Sequence, residues 1–260
     1  MSRLAFFNLI AAAFHCVAAL VLILLASDTA TLLLPLRLNV PEGADEPFAS
    51  VNLLAALLVV VLISAGGRLV AALPPVRARY ERGLSAGRHG LRWIEYSQSA
   101  GITLFLVAQL NGVAEAGALI MMYAVGAGSV LLLWLQDRSI IAGKPGLMPF
   151  VVGSAIAIVP WGVIGLYQVV ALVVGQTPTT AIRIMTIVFL LIAAAHWFIV
   201  WRDHQTLGER VSHTAGERAY LVLGLVNSVA IVVLAVSYVL LNETALLNET
   251  ALLNQTGPRS

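Results

Sequence analysis

Residues 51–75 read VNLLAALLVVVLISAGGRLVAALPP. Between Val51 and Leu73 the only charged residue is Arg68, and Pro74-Pro75 closes the stretch. A helix that crosses a bilayer needs roughly 20 apolar residues, each rising 1.5 Å. This segment has that length, and proline ends a helix because it lacks an N–H donor and clashes with the preceding turn. It reads as a transmembrane helix with a cation inside it.

The chain on either side reads the same way. Of its 260 residues 60% are hydrophobic and 11% charged, and the mean hydropathy is +0.92. A soluble domain carries about 25% charged residues. Apolar segments run from about Ala5 to Ala26, Val51 to Leu73, Leu91 to Leu110, Glu115 to Gln136, Leu147 to Val174, Thr179 to Trp201 and Glu217 to Leu241. The fold expected is therefore an all-α, rhodopsin-like bundle of seven transmembrane helices over residues 1–241, a multi-pass protein of the cell membrane. The first segment is long for a signal peptide and lacks a small-residue cleavage site, so it is read as a retained helix. Pro160 lies inside the fifth span, where it should kink the helix or free a carbonyl.

The links carry further information. Ser27 to Ser50 is long and polar, with Pro35, Pro41, Pro47 and four acidic residues. Its centre, Leu32 to Val40, has strand-like composition and suggests a small β-hairpin. The link after Pro75 is basic, with Arg77, Arg79, Arg82 and Arg88. Assigning alternate links to one side gives eleven basic residues against three, with Arg68 left inside its span. By the positive-inside rule the N-terminus is cytoplasmic and the C-terminus outside. Basic residues on membrane-side links argue against nucleic-acid binding. The tail, residues 242–260, repeats Ala-Leu-Leu-Asn-Glu-Thr with small changes. A period of six sustains no apolar stripe, so the tail reads as a disordered or frayed extension. Asn242, Asn248 and Asn254 each begin a glycosylation sequon.

Ionisable groups within a span cost roughly 2.5–3.5 kcal/mol to insert and mark functional candidates. Here they are His15, Arg68, Glu95 and His196. Glu95 lies four residues past Leu91 and Arg68 five before Leu73, at similar depths on antiparallel neighbours, so an ion pair is expected. A lone His15 near mid-membrane is more often a hydrogen-bonded packing residue than a proton relay. His196, near the end of its span, reads as interfacial or packing, and a haem held between the two histidines is disfavoured. Trp134, Trp161, Trp197 and Tyr167 are candidates to line an apolar cavity. Cys16 is the single cysteine, so there is no disulfide framework. Ser64 and Ser97 have no adjacent base, and no hydrolase or phosphate-binding motif occurs, so an enzyme is not expected.

Several strings together resemble a known family. Arg92-Trp93-Ile94-Glu95-Tyr96-Ser97 opens the third span and Trp134-Leu135-Gln136 ends the fourth. Leu147-Met148-Pro149-Phe150 and Ile158-Val159-Pro160-Trp161 lie on the fifth, Gly216-Glu217-Arg218-Ala219-Tyr220 opens the seventh, and Phe14-His15 lies in the first. In this order and spacing the chain resembles heliorhodopsins. The resemblance implies seven-helix retinal proteins of inverted orientation, with slow photocycles and no general pumping role. It also implies a small extracellular sheet after the first helix and dimers formed through helices four and five. Glu95 then matches the counterion of the protonated retinal Schiff base, and His15 a polar inner cavity to which Tyr96 and Ser97 are assigned. A second cavity histidine falls on Arg68.

One departure stands out. The only lysine is Lys144, in a link between spans. Counted from Gly216-Glu217-Arg218-Ala219-Tyr220, the family's retinal lysine falls on Ser228, or on Asn227 with a slip of one. A Schiff base needs a lysine amine, so no covalent cofactor is expected, although retinal, carotenoid or lipid could bind without a bond. The expected function is non-enzymatic binding or signalling. The alternative is a regulatory or structural partner subunit with a collapsed pocket; a transporter or enzyme ranks last. Expected partners are membrane lipid, a second copy through helices four and five, and a cytoplasmic protein at the basic link.

Overall fold

The computed structural model describes residues 3–28, 32–38, 46–85, 88–141, 146–176, 178–205 and 213–256. Lys144, Val40, Pro41, Arg210, Arg259 and residues 257–260 lie outside them. The elements are α1 (Arg3–Asp28), β1 (Leu33–Leu36), β2 (Ala49–Asn52), α2 (Leu53–Ala72), α3 (Pro74–Ser85), α4 (Gly90–Leu110), α5 (Ala116–Ile141), α6 (Met148–Val173), α7 (Thr180–Gln205) and α8 (His213–Thr256). The chain is a helical membrane bundle. Among the described residues six helices are long and apolar enough to cross a bilayer: α1, α2, α5, α6, α7 and α8. The seventh long helix, α4, has 21 residues but carries Arg92, Glu95, Gln98 and Gln109.

The long helices form a closed ring in chain order, with α8 returning to α1. Leu53, Leu57, Val60, Leu106, Leu119 and Ile231 meet inside it, while aliphatic side chains such as Ile120, Val159 and Leu191 cover the outside. That inside-out distribution suits lipid as the surrounding solvent. Backbones approach closely where α4 meets α5: a Cβ on Gly101 would stand 2.8 Å from the Tyr123 ring. Such small-residue contacts are how helices pack when lipid removes the hydrophobic drive between them.

Three sequence expectations need correction. The basic link contains a helix, α3. Leu73 is extended (φ −63°, ψ 135°), as a residue before proline prefers. Pro74 and Pro75 then occupy a first helical turn, where no N–H is needed, so they end α2 and start α3 together. The hairpin also differs. Its first strand lies within Leu32–Val40 as expected, but its partner is Ala49–Asn52, with Leu33 opposite Asn52 and Leu36 opposite Ala49. Asn52 then caps α2, its side chain accepting from the Ala55 N–H at 3.0 Å. The hairpin sits over the turn from α4 to α5, where the Arg37 N–H donates to the Ala114 carbonyl at 2.8 Å. The third correction concerns the tail: α8 runs on through the repeat to Thr256. Alanine, leucine and glutamate are strong helix formers, and the repeat contains no glycine or proline before Gly257. α6 continues as one helix through Pro160, whose missing N–H leaves the carbonyl of the preceding turn without its donor.

Candidate functional site

The charged residues inside the bundle gather at the end where α3 lies. Arg68 of α2 and Glu95 of α4 form the ion pair that their depths suggest, Nη2 to Oε2 at 3.1 Å, with both side chains buried. Gly67 allows this approach, since a Cβ there would stand 2.9 Å from a Glu95 carboxylate oxygen. The pair is half of a larger set. Glu217, at the start of α8, accepts from Arg92 Nε at 3.1 Å and also from Arg92 Nη2. Arg68 Nη1 lies 3.6 Å from Glu217 Oε1. The Tyr80 hydroxyl of α3 donates to the same oxygen at 2.6 Å. Burial, together with the Glu217 charge, pushes the Tyr80 phenol well above its ordinary pKa, so it stays a donor.

Two arginines thus face two glutamates across α2, α4 and α8, with Tyr80 closing the set from α3. A lone charge here would carry a large desolvation penalty; mutual pairing and hydrogen bonding offset it. Aromatic rings complete the shell. The Arg68 and Arg92 guanidiniums lie 5.1 and 4.8 Å from the Tyr220 ring centre, within cation–π range. Tyr96 stacks on His196 at 4.0 Å, and Tyr220 meets both rings edge-on.

The same stripe of α8 continues inward. Glu217, Tyr220, Gly224 and Ser228 are spaced three, four and four residues apart, the period of one helix face. A Cβ on Gly224 would lie 3.9 Å from Arg68 Nη2. One turn further, Ser228 Oγ is 2.7 Å from His15 Nδ1, with both side chains buried. Asn227 instead lines a cavity of about 60 Å³ with Tyr96, Trp161, Phe189 and Trp197.

Other sequence expectations fare unevenly. His15, Tyr96 and Ser97 make separate contacts. His15 meets Ser228, Tyr96 meets His196, and Ser97 donates to the Ile94 carbonyl of its own helix at 2.9 Å. A serine's short side chain readily closes on the preceding turn, which satisfies it locally. Trp161 lines the cavity, but Tyr167 is 40% exposed and does not. Six residues separate them, which turns Tyr167 about 120° away from the Trp161 face. Of the two roles expected for His196, interfacial or packing, it takes the packing one, buried with Nδ1 2.8 Å from the Ile192 carbonyl.

Sequence reasoning missed Arg92, Glu217 and Tyr80. The first two read only as residues that open their spans. The available signal was spacing: Arg92 precedes Glu95 by three residues, and Glu217 precedes Tyr220 by three, so each lies on its helix's inward face.

The family model described as Heliorhodopsin matches residues 4–238. Among curated proteins, none matches the chain.

Proposed function

The chain belongs to the heliorhodopsin family, and from that premise we propose that it is a member whose interior cation is Arg68 rather than a chromophore. The family is of rhodopsin type and usually binds retinal. The residues present here do not fit a lysine-linked retinal. The two positions matched to its lysine are Ser228, hydrogen-bonded to His15, and Asn227. The neighbouring cavity of about 60 Å³ compares with roughly 300 Å³ at the small end of ligand pockets. The carrying observation is the buried Arg68–Glu95 pair. Glu95, at the counterion position, keeps a cationic partner without any Schiff base.

In this reading α4 is the seventh span, the α3 end is cytoplasmic and the hairpin is outside. The small cavity favours a regulatory or structural partner subunit over a ligand-binding receptor. The protein acts without catalysis, through its surfaces. A second copy across α5 and α6 is the partner we propose. Only 11% of the α6 span is buried within the bundle, against 28–44% for the other five candidate spans. This is a broad apolar face for a protein neighbour.

The test is spectroscopic. All-trans-retinal added to purified protein should show only the absorption of free retinal; a red-shifted band that resists hydroxylamine would overturn the proposal. Colour gained by the double variant Ser228→Lys, Arg68→Met would show that the bundle reopens around a chromophore, and would restore the receptor reading. Loss of dimer on cross-linking after polar substitutions at Val159 and Leu166 is expected; an unchanged dimer would reject the α6 face.

A further inference from the structure

A second concave region lies outside the charge network, on the other side of Tyr80. It is a cleft of about 880 Å³ between α3, the start of α4 and the end of α5. Arg79, Arg88 and Arg138 line it, all exposed. Among the described residues none of the three joins an ion pair. Asp137, the one acid among the described residues that line the cleft, is already engaged. It accepts from the His89 backbone N–H and from Trp93 Nε1, each at 3.1 Å, and lies 3.1 Å from His89 Nδ1. Val76, Leu91 and Trp134 give the wall an apolar part. Uncommitted cations at the mouth and carbon on the wall describe an amphiphilic, anionic ligand.

We propose that this cleft seats the headgroup of an anionic phospholipid, with the arginines on its phosphates and the apolar wall against its upper acyl chains. The placement supports a lipid over a soluble acidic partner. The arginines flank the ends of α4 and α5, at the level where a bilayer's headgroups meet a bundle, and basic pockets between helices on the cytoplasmic side suit such lipids. The inference rests on the proposed cytoplasmic placement of this end and not on the fate of the chromophore. Tyr80 forms part of the cleft wall while its hydroxyl holds Glu217. A seated lipid therefore presses on the side chain that closes the interior charge set.

The experiment titrates the full chain, in neutral detergent, with short-chain phosphatidylglycerol and counts bound lipid by native mass spectrometry. Saturable binding is expected, with phosphatidylcholine of equal chain length binding more weakly. Combining Arg79→Gln, Arg88→Gln and Arg138→Gln should weaken binding on the order of a hundredfold, at roughly fivefold per surface arginine. Arg77→Gln with Arg82→Gln, on α3 but outside the cleft lining, should leave binding unchanged. Equal binding of phosphatidylcholine, or an equal loss from the Arg77/Arg82 pair, would reduce the cleft to diffuse membrane charge and overturn the proposal. Displacement of the lipid by equimolar inorganic phosphate would reassign the cleft to free phosphate. Binding of polyglutamate without binding of lipid would reassign it to a protein partner. Should the triple variant not fold, wild-type protein decides the matter: lipid binding must fall as salt rises, and binding indifferent to salt would reject the site.

Discussion

At the α3 end of the bundle, Arg68, Arg92, Glu95 and Glu217 tie α2, α4 and α8 together through charge. At the hairpin end, Leu53, Leu57, Val60, Leu106 and Ile231 fill the interior with aliphatic carbon. Buried polar contacts there include neutral ones, such as Asn111 Nδ2 to Thr186 at 2.9 Å and Gln168 Nε2 to Asn111 at 2.8 Å. The difference is one of tolerance. An aliphatic interior in lipid has no strong preference among similar shapes, because lipid is as apolar as leucine. A buried charge set has one acceptable arrangement, and each member depends on the others being present.

Four substitutions sharpen that contrast. The largest effect is expected from Glu217→Gln, which leaves two buried arginines with one carboxylate. A loss of about 3–5 kcal/mol is the usual scale for breaking a buried pair, measured by reversible unfolding in detergent. Next comes Arg68→Met, with a loss of about 3 kcal/mol, of which the double variant Arg68→Met, Glu95→Leu should recover most. Additive losses in that cycle would mean that the two residues do not act as a pair. At the other end, Leu57→Ala should cost about 2 kcal/mol through the cavity it leaves. Unlike the first two, it should show no coupling to Glu95. The smallest effect is expected at Gln168→Leu, about 0.6 kcal/mol, typical of a neutral interhelical hydrogen bond in a membrane. A Gln168→Leu loss as large as that of Glu217→Gln would erase the distinction between the two ends.

Sequence periodicity reached the apolar half well, because a span is defined by a long run of one kind of residue. It located α1, α2 and α4 to α7 within a few residues. It also placed Arg68 opposite Glu95, since both depths follow from helical rise alone. It failed where meaning depends on a neighbour. Pro74-Pro75 reads as a stop from one side and as a start from the other, and only the observed chain path shows both. Glu217 reads from the sequence only as the start of the last span; α3 folds over it and brings the Tyr80 hydroxyl within 2.6 Å. Tyr167 was grouped with Trp161 by residue type, where angular position should have separated them.

The four-charge set at the α3 end also bears on reversibility. Two cations against two anions sum to zero, and Arg68 lies against the Gly224 face, one turn from Ser228. A lysine placed at Ser228 would set a third cation beside a balanced set and beside His15. Removing Arg68 first would strand Glu95. On the proposal that Arg68 stands in for a chromophore, each single substitution toward a pigment would cross a less stable intermediate, and the order of mutations would matter. Under the proposed reading, this buried neutrality would act as a ratchet: with the arginine carrying the charge, a return to photochemistry would require two coordinated changes.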